Sequence, residues 1–268
     1  VQTGESLLAS GTFEFVPSLT YQFNERSVPA QVALAPDGTV LITENVNRST
    51  QVEAGMLIRA GLPFNAQVEV GLPLEYKRLT SRSRVLGAGL NEQATNAEGI
   101  GDPTVTLTKQ VFQEGDVWPG LFLTGSWNSN YGQTKKNVAL GTGFNELSAG
   151  FTAVKRQDPL VFTAGFSYQT TFENHGVKPA DQYTPAVSVL LAVSPETSLR
   201  FSQQVSYAGR TEFGGVPIPG SELRSGVFTF GMLSILGRGL VMDFSASLGE
   251  TPDAPDLTVR VAFPIRLN

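Results

Sequence analysis

The chain has 268 residues, of which 41% are hydrophobic, with a net charge of −5 and no cysteine. This length fits one large all-β domain. The acidic balance argues against nucleic acid as a partner, and the lack of cysteine excludes disulfides and thiolate chemistry. No run of about 18 apolar residues occurs, so the sequence predicts no transmembrane helix. A transmembrane β-barrel is still compatible, because only alternate strand residues contact lipid.

The pattern that recurs along the chain is clearest in residues 67–77. One face of this segment is apolar and carries Val68, Val70, Leu72, Leu74 and Tyr76. The other face is polar or small and carries Gln67, Glu69, Gly71, Pro73, Glu75 and Lys77. Strict alternation of this kind is typical of a strand with one apolar and one wet face.

Similar segments follow one another without an intervening helical pattern. They predict twelve strands at 11–23, 49–62, 65–78, 99–112, 117–130, 142–155, 159–171, 183–194, 197–209, 222–235, 238–249 and 256–266. Short turns alternate with long loops, which are predicted at 24–48, 79–98, 131–141, 172–182 and 210–221. This alternation of connection lengths is typical of bacterial outer-membrane barrels.

These elements together predict an all-β fold, a transmembrane antiparallel up-and-down β-barrel with both termini in the periplasm. A soluble β-sandwich is the structural alternative, since its strands also alternate. The barrel is favoured because the apolar faces continue across all strands while the opposite faces are rich in Ser, Thr, Gln and charge. The prediction places the chain in the bacterial outer membrane, with outer-membrane lipid as a partner.

The inward face is then the candidate functional surface, and it carries charges of both signs. The predicted lumen-facing charges are Glu14, Glu53, Arg59, Glu69, Glu75, Lys77, Arg200, Asp243, Arg260 and Arg266. Such residues can pair across a lumen, set ion preference, or contact a plug or a cargo.

Little in the sequence indicates catalysis or a cofactor. The single histidine, His175, lies in a predicted loop and cannot build a histidine-based zinc site alone. Glu250, Asp253 and Asp256 lie near one turn, but Pro252 and Pro255 interrupt the alternate-position spacing of a calcium loop. We therefore expect no enzyme activity, no metal and no cofactor.

Several segments resemble outer-membrane proteins of the "MetA pathway of phenol degradation" type. They are 61–74, Gly-Ile-Gly-Asp-Pro at 99–103, Trp-Pro-Gly-Leu-Phe-Leu-Thr-Gly at 118–125, and Gly-Thr-Gly at 141–143. Residues 7–21 and 247–261 are most similar to the branch that secretes functional-amyloid (Fap) subunits in pseudomonads. The resemblance implies a twelve-stranded barrel, a homotrimer, amyloid subunits as cargo, and an N-terminal plug with a coiled coil. We expect residues 1–10 to be a periplasmic segment and 11–268 the barrel, without that plug region.

The resemblance favours secretion of unfolded amyloid subunits to the cell surface, which requires a polar, continuous bore. Uptake of aromatic or other hydrophobic small molecules is the alternative, and it predicts an apolar pocket in the lumen. A general diffusion porin predicts a constriction loop folded inside, for which 24–48 is the candidate. An adhesin or anchor predicts a lumen filled by side chains.

Overall fold

The computed structural model of the protein describes residues 7–34, 40–85, 89–237 and 240–267. Every regular element in these ranges is a β-strand, and no helix among the described residues is long and apolar enough to cross a membrane. The prediction of an all-β fold is therefore confirmed.

The strands follow the chain order closely. They are β1 (Phe13–Leu34), β2 (Val40–Leu62), β3 (Ala66–Val85), β4 (Gly89–Ile100), β5 (Thr104–Phe112), β6 (Gly120–Asn128), β7 (Thr134–Lys135), β8 (Val138–Ala139), β9 (Glu146–Gln157), β10 (Leu160–Thr171), β11 (Val177–Lys178), β12 (Gln182–Ala192), β13 (Thr197–Ala208), β14 (Glu212–Phe213), β15 (Val216–Pro217), β16 (Leu223–Gly237), β17 (Leu240–Gly249), β18 (Leu257–Ala262) and β19 (Ile265–Leu267).

The main sheet is antiparallel and closes on itself. The strand β1 pairs with β2 on one side and with β18 and β19 on the other. The pairs β4–β5 and β18–β19 each act as one strand, interrupted at 101–103 and 263–264. Pro103 and Pro264 lie in these interruptions, where the missing proline N–H cannot complete a ladder. Counted in this way, the described residues form a closed barrel of twelve strands, which confirms the predicted architecture.

Side-chain exposure follows the predicted alternation. In β5, Val105 and Leu107 are exposed on the outside of the barrel, whereas Thr104, Thr106 and Thr108 are half-buried and face inward. The same parity holds in β9, where Leu147 and Phe151 are exposed. An apolar outer surface next to a polar inner one is what a barrel in a bilayer requires.

The first strands extend far beyond a membrane span. The strands β1, β2 and β3 contain 22, 23 and 20 residues, whereas roughly 9–11 residues cross a bilayer. The loops predicted at 24–48 and 79–98 are therefore wrong, because paired strands occupy most of both segments; residues 35–39 and 86–88 lie outside the described residues. The sequence pattern missed these extensions because both faces of a segment such as 77–83 are rich in polar residues.

The two ends of the barrel differ. Phe13 in β1 pairs with Leu267 in β19, so the first and last barrel strands meet at one end, together with the short turns at 63–65 and 158–159. We refer to this as the turn end and to the opposite one as the loop end. At the loop end, β11, β14 and β15 form a small separate sheet, and β7 pairs with β8 in a hairpin. The periplasmic location of the turn end stays a prediction.

Candidate functional site in the barrel lumen

One arc of the lumen wall is lined by hydroxyl groups. On the inner face of β5 to β17, Ser and Thr side chains pair across neighbouring strands, at oxygen–oxygen distances from 2.5 to 3.3 Å. The pairs are Thr108–Thr124, Ser126–Ser148, Thr163–Ser188, Thr184–Ser206 and Thr229–Ser247. Apart from Arg200 and Asp243, the polar groups of this arc are mainly hydroxyl groups that are already partly satisfied by one another.

The opposite arc, formed by β18–β19, β1, β2 and β3, is charged. The strand register places the predicted lumenal charges on the same face as the half-buried residues. The cross-strand neighbours are Glu14–Arg59, Glu14–Arg266, Arg59–Glu69, Glu53–Glu75, Lys77–Gln51 and Arg260–Thr20. Arg200 and Asp243 face inward from β13 and β17 and approach each other to 3.8 Å. Their roles in transport stay a prediction.

A compact ion-pair network lies near the turn end. The Glu14 side chain is only 7% exposed, and its carboxylate accepts hydrogen bonds from Arg59 Nη1 at 3.0 Å and Arg266 Nε at 3.3 Å. Arg59 Nε lies 3.5 Å from Glu69 Oε1. Two carboxylates and two guanidinium groups thus balance in charge around the buried Glu14, which ties β19, β1, β2 and β3 together.

Apolar side chains fill part of the lumen at the turn end. Phe122, Val154, Val161 and Leu190 point inward and form a buried cluster, against which Leu7 packs. The backbone N–H of Leu8 donates to Gln67 Oε1 at 2.9 Å, and Leu8 is itself buried. Residues 7–10 therefore lie against the inside of the barrel at its turn end.

The segment 129–145, which joins β6 to β9, folds into the barrel from the loop end. Val138 and Leu140 are almost fully buried and pack on Ala97, which lies on the inner face of β4. Lys77 Nζ donates to the carbonyl of Ala139 at 3.4 Å. The predicted loop at 131–141 is thus the inward element. The segment 24–48, the candidate constriction loop of the porin alternative, instead forms paired strands at 24–34 and 40–48.

Between this inward segment and the charged arc lies a cavity of about 560 Å³. Its polar lining includes Glu53, Glu75, Lys77 and Arg260 together with Thr104 and Asn128, and its apolar lining includes Leu57, Pro73 and Leu140. Gln51 Nε2 donates to Glu75 Oε2 at 3.1 Å. A cavity of this volume and mixed lining is comparable to small-molecule sites.

The carboxylates at 250–256 are held by protein donors at the loop end. Asp253 accepts from Arg26 Nη2 and from the Arg224 N–H, and Asp256 accepts from the Glu25 N–H. Among the described residues, no group of His, Cys, Asp or Glu has the arrangement of a metal site. These carboxylates therefore join the last connection to the extended wall.

Comparison with known proteins shows which solved structures share this architecture. No protein-family model matches the chain. A COG4313 outer membrane channel from Pseudomonas putida F1 superposes with a TM-score of 0.73 at 14% identity, covering 100% of both chains. The chain has the fold of an outer-membrane channel. The predicted outer-membrane barrel is thereby confirmed.

Two further structures align over most of the chain with lower scores. The toluene transporter TbuX from Ralstonia pickettii gives a TM-score of 0.49 at 9% identity, over 97% of this chain and 90% of its own. The transport unit of the autotransporter AIDA-I from Escherichia coli gives 0.45 at 11% identity, over 100% of this chain and 93% of its own. The resemblance to the phenol-degradation type is supported as a barrel fold, while the amyloid-secretion branch gains no support.

Sequence reasoning predicted a charged lumenal face, which stays a prediction, but it missed what lies inside the barrel. The inward segment 129–145 contains Gly132, Gly141 and Gly143, and such glycine density signals close backbone approach. Asp102, the residue on which this segment is anchored, was noted only within a Gly-Ile-Gly-Asp-Pro motif. A carboxylate between glycine and proline is a usable sign of a capping role, although its partners are 30 and 40 residues away.

Proposed function

We propose that this chain is an outer-membrane channel for the uptake of small hydrophobic or aromatic molecules that carry a polar group. The observation that carries the proposal is the cavity of about 560 Å³ between the charged arc and the inward segment. Its lining offers apolar contact from Leu57, Pro73 and Leu140 and charged partners from Glu53 and Arg260. A solute with an apolar body and one polar group can use both.

Export of an unfolded polypeptide is supported less well by this lumen. Such a cargo needs a polar bore that is continuous from end to end. Here the segment 129–145 packs on the inner face of β4, and Leu7 packs on inward-facing Phe122 near the other end. Both features narrow the lumen, which favours passage of a small solute over passage of a polypeptide. Amyloid cargo and the homotrimer stay predictions of the resemblance.

A channel role also accounts for the lumen better than catalysis does. The hydroxyl groups of the hydroxyl-lined arc pair with one another, and the charges near the turn end form ion pairs. The name of the Pseudomonas putida protein as an outer membrane channel agrees with a transport role.

The test is a flux measurement with the purified chain in proteoliposomes. Influx of labelled benzoate and benzylammonium is compared with entry of an unfolded polypeptide, which is scored by a protease enclosed in the vesicles. We expect the chain to accelerate entry of the small aromatic ions above protein-free vesicles and to leave the polypeptide outside. Entry of the polypeptide without flux of either aromatic ion would contradict the proposal and restore the export hypothesis.

A further inference from the structure

The interruption between β4 and β5 contains a buried carboxylate, that of Asp102. Asp102 is 7% exposed. Its Oδ1 accepts from the Gly132 N–H at 2.6 Å, and its Oδ2 accepts from the Thr142 N–H at 2.5 Å and from Thr142 Oγ1 at 3.1 Å. One side chain of the wall thus binds both ends of the inward segment.

The backbone around Asp102 makes a second tie to the same segment. Ser129 donates to the Pro103 carbonyl through its N–H at 3.1 Å and through its hydroxyl at 3.0 Å. The Gln133 N–H donates to the Ile100 carbonyl at 3.0 Å. The chain can leave the ladder and meet the segment because Pro103 cannot donate to a neighbouring strand.

Glycine makes this close approach possible. A Cβ atom on Gly141 would collide with the Asp102 carboxylate, and one on Gly132 would lie 2.7 Å from Asp102 Oδ1. A Cβ atom on Gly99 would collide with Gln133 and lie 2.9 Å from Leu140 Cδ1. The inward segment and the wall are therefore closely packed against each other. Such packing indicates a specific contact and not a loop that lies loosely over the barrel opening.

The chemistry of the contact is that of a buried charge satisfied by N–H donors. A charged acceptor forms shorter and stronger hydrogen bonds than a neutral one. Replacing the carboxylate removes acceptors from buried N–H groups of the segment, and unsatisfied buried donors are costly. The segment would then be held by the packing of Val138 and Leu140 on Ala97 and by the remaining hydrogen bonds to the Pro103 and Ile100 carbonyls and from Lys77.

The position of the segment determines the lining of the cavity. The segment supplies Leu140, Gly141 and Thr142 to the cavity lining, and the wall supplies Asp102 itself. We propose that Asp102 is a positioning residue that fixes the segment 129–145 across the lumen and so sets the bore and solute preference of the channel. Its effect on solutes rests on the proposed uptake function, whereas its effect on the bore does not.

The experiment measures single-channel conductance in planar bilayers for Asp102→Asn, Asp102→Ala and Gly141→Ala. Asp116→Asn is the matched control, because Asp116 is exposed in the turn between β5 and β6. Since conductance follows pore diameter, we expect a rise on the order of twofold for Asp102→Ala and a smaller one for Asp102→Asn. The control should keep the original conductance.

A disulfide tether distinguishes release of the segment 129–145 from misfolding of the barrel. The chain has no cysteine, so Ala97→Cys with Val138→Cys adds one possible disulfide between β4 and the segment. In the Asp102→Ala background, oxidation should return the conductance to its original level, and reduction should raise it again. A barrel with lost stability alone would not respond to the tether.

The outcomes test the role of Asp102 separately from the uptake function. Unchanged conductance in folded Asp102→Ala and Gly141→Ala would overturn the role of Asp102, even if aromatic ions still pass. A conductance rise that the oxidised tether reverses supports that role. This holds even if neither benzoate nor benzylammonium passes, since that result would contradict the uptake function and not the role of Asp102. A rise that the oxidised tether leaves in place would also overturn it.

Discussion

The ion-pair network around Glu14 gives the sharpest prediction about stability. The change is Glu14→Gln, which keeps the shape of the side chain and removes its charge. Breaking a fully buried pair costs about 3–5 kcal/mol, and an exposed pair contributes about 0.2–1 kcal/mol. The Glu14 side chain is 7% exposed, but its partners Arg59 and Arg266 are 28% and 43% exposed. Solvent therefore screens half of the network, and we expect a loss of about 1–2 kcal/mol in the free energy of unfolding.

The assay is urea unfolding of the barrel in lipid vesicles, followed by tryptophan fluorescence. The matched control is Glu92→Gln, because Glu92 pairs with Arg82 at 2.9 Å where the side chains are 39% and 37% exposed. We expect the control to change stability by less than about 1 kcal/mol. Equal losses for Glu14→Gln and Glu92→Gln would refute the reasoning that burial makes the lumenal network stronger.

Other predictions follow from the two faces of the wall. Leu107→Arg places a charge on the outer face and should cost about 2–4 kcal/mol if Leu107 lies near the bilayer midplane, measured as folding yield into vesicles against Leu107→Ala; equal yields would contradict an outward Leu107. Gly150→Ala should lower the urea midpoint, since its Cβ would lie 2.7 Å from the Phe166 carbonyl oxygen, whereas Gly125→Ala, whose nearest atom is 4.0 Å away, should not. Glu53→Gln with Glu75→Gln should shift the reversal potential in a salt gradient toward anions, because two carboxylates leave the cavity lining; an unchanged potential would exclude them from the ion path.

The barrel was predictable because its signal is local. In β5 and β9 most residues of one face are apolar, and such alternation follows directly from a strand between lipid and water. The extended wall of β1–β4 was missed because segments such as 77–83 are polar on both faces and show no alternation. The prediction of lumenal charges rests on the same alternation, because Arg59 and Glu69 lie within alternating strands.

The contents of the lumen follow from contacts that no local pattern carries. Asp102 binds Thr142, which is 40 residues away, and Leu7 packs on a cluster that includes Leu190. A long loop with several glycines has the same sequence pattern whether it points outward or into a barrel. The inward fold of 129–145 is therefore visible only when β4 and the segment are placed side by side.

If small solutes pass through the cavity beside the inward segment, as we propose, then blocking that cavity must stop their flux. A single cysteine tests it, because the chain has none of its own. Thr104→Cys lies in the cavity lining, and Leu107→Cys lies on the outer face of the same strand. We expect a bulky thiol reagent to abolish benzoate and benzylammonium flux through Thr104→Cys and to spare Leu107→Cys. Full flux through completely labelled Thr104→Cys would contradict the account.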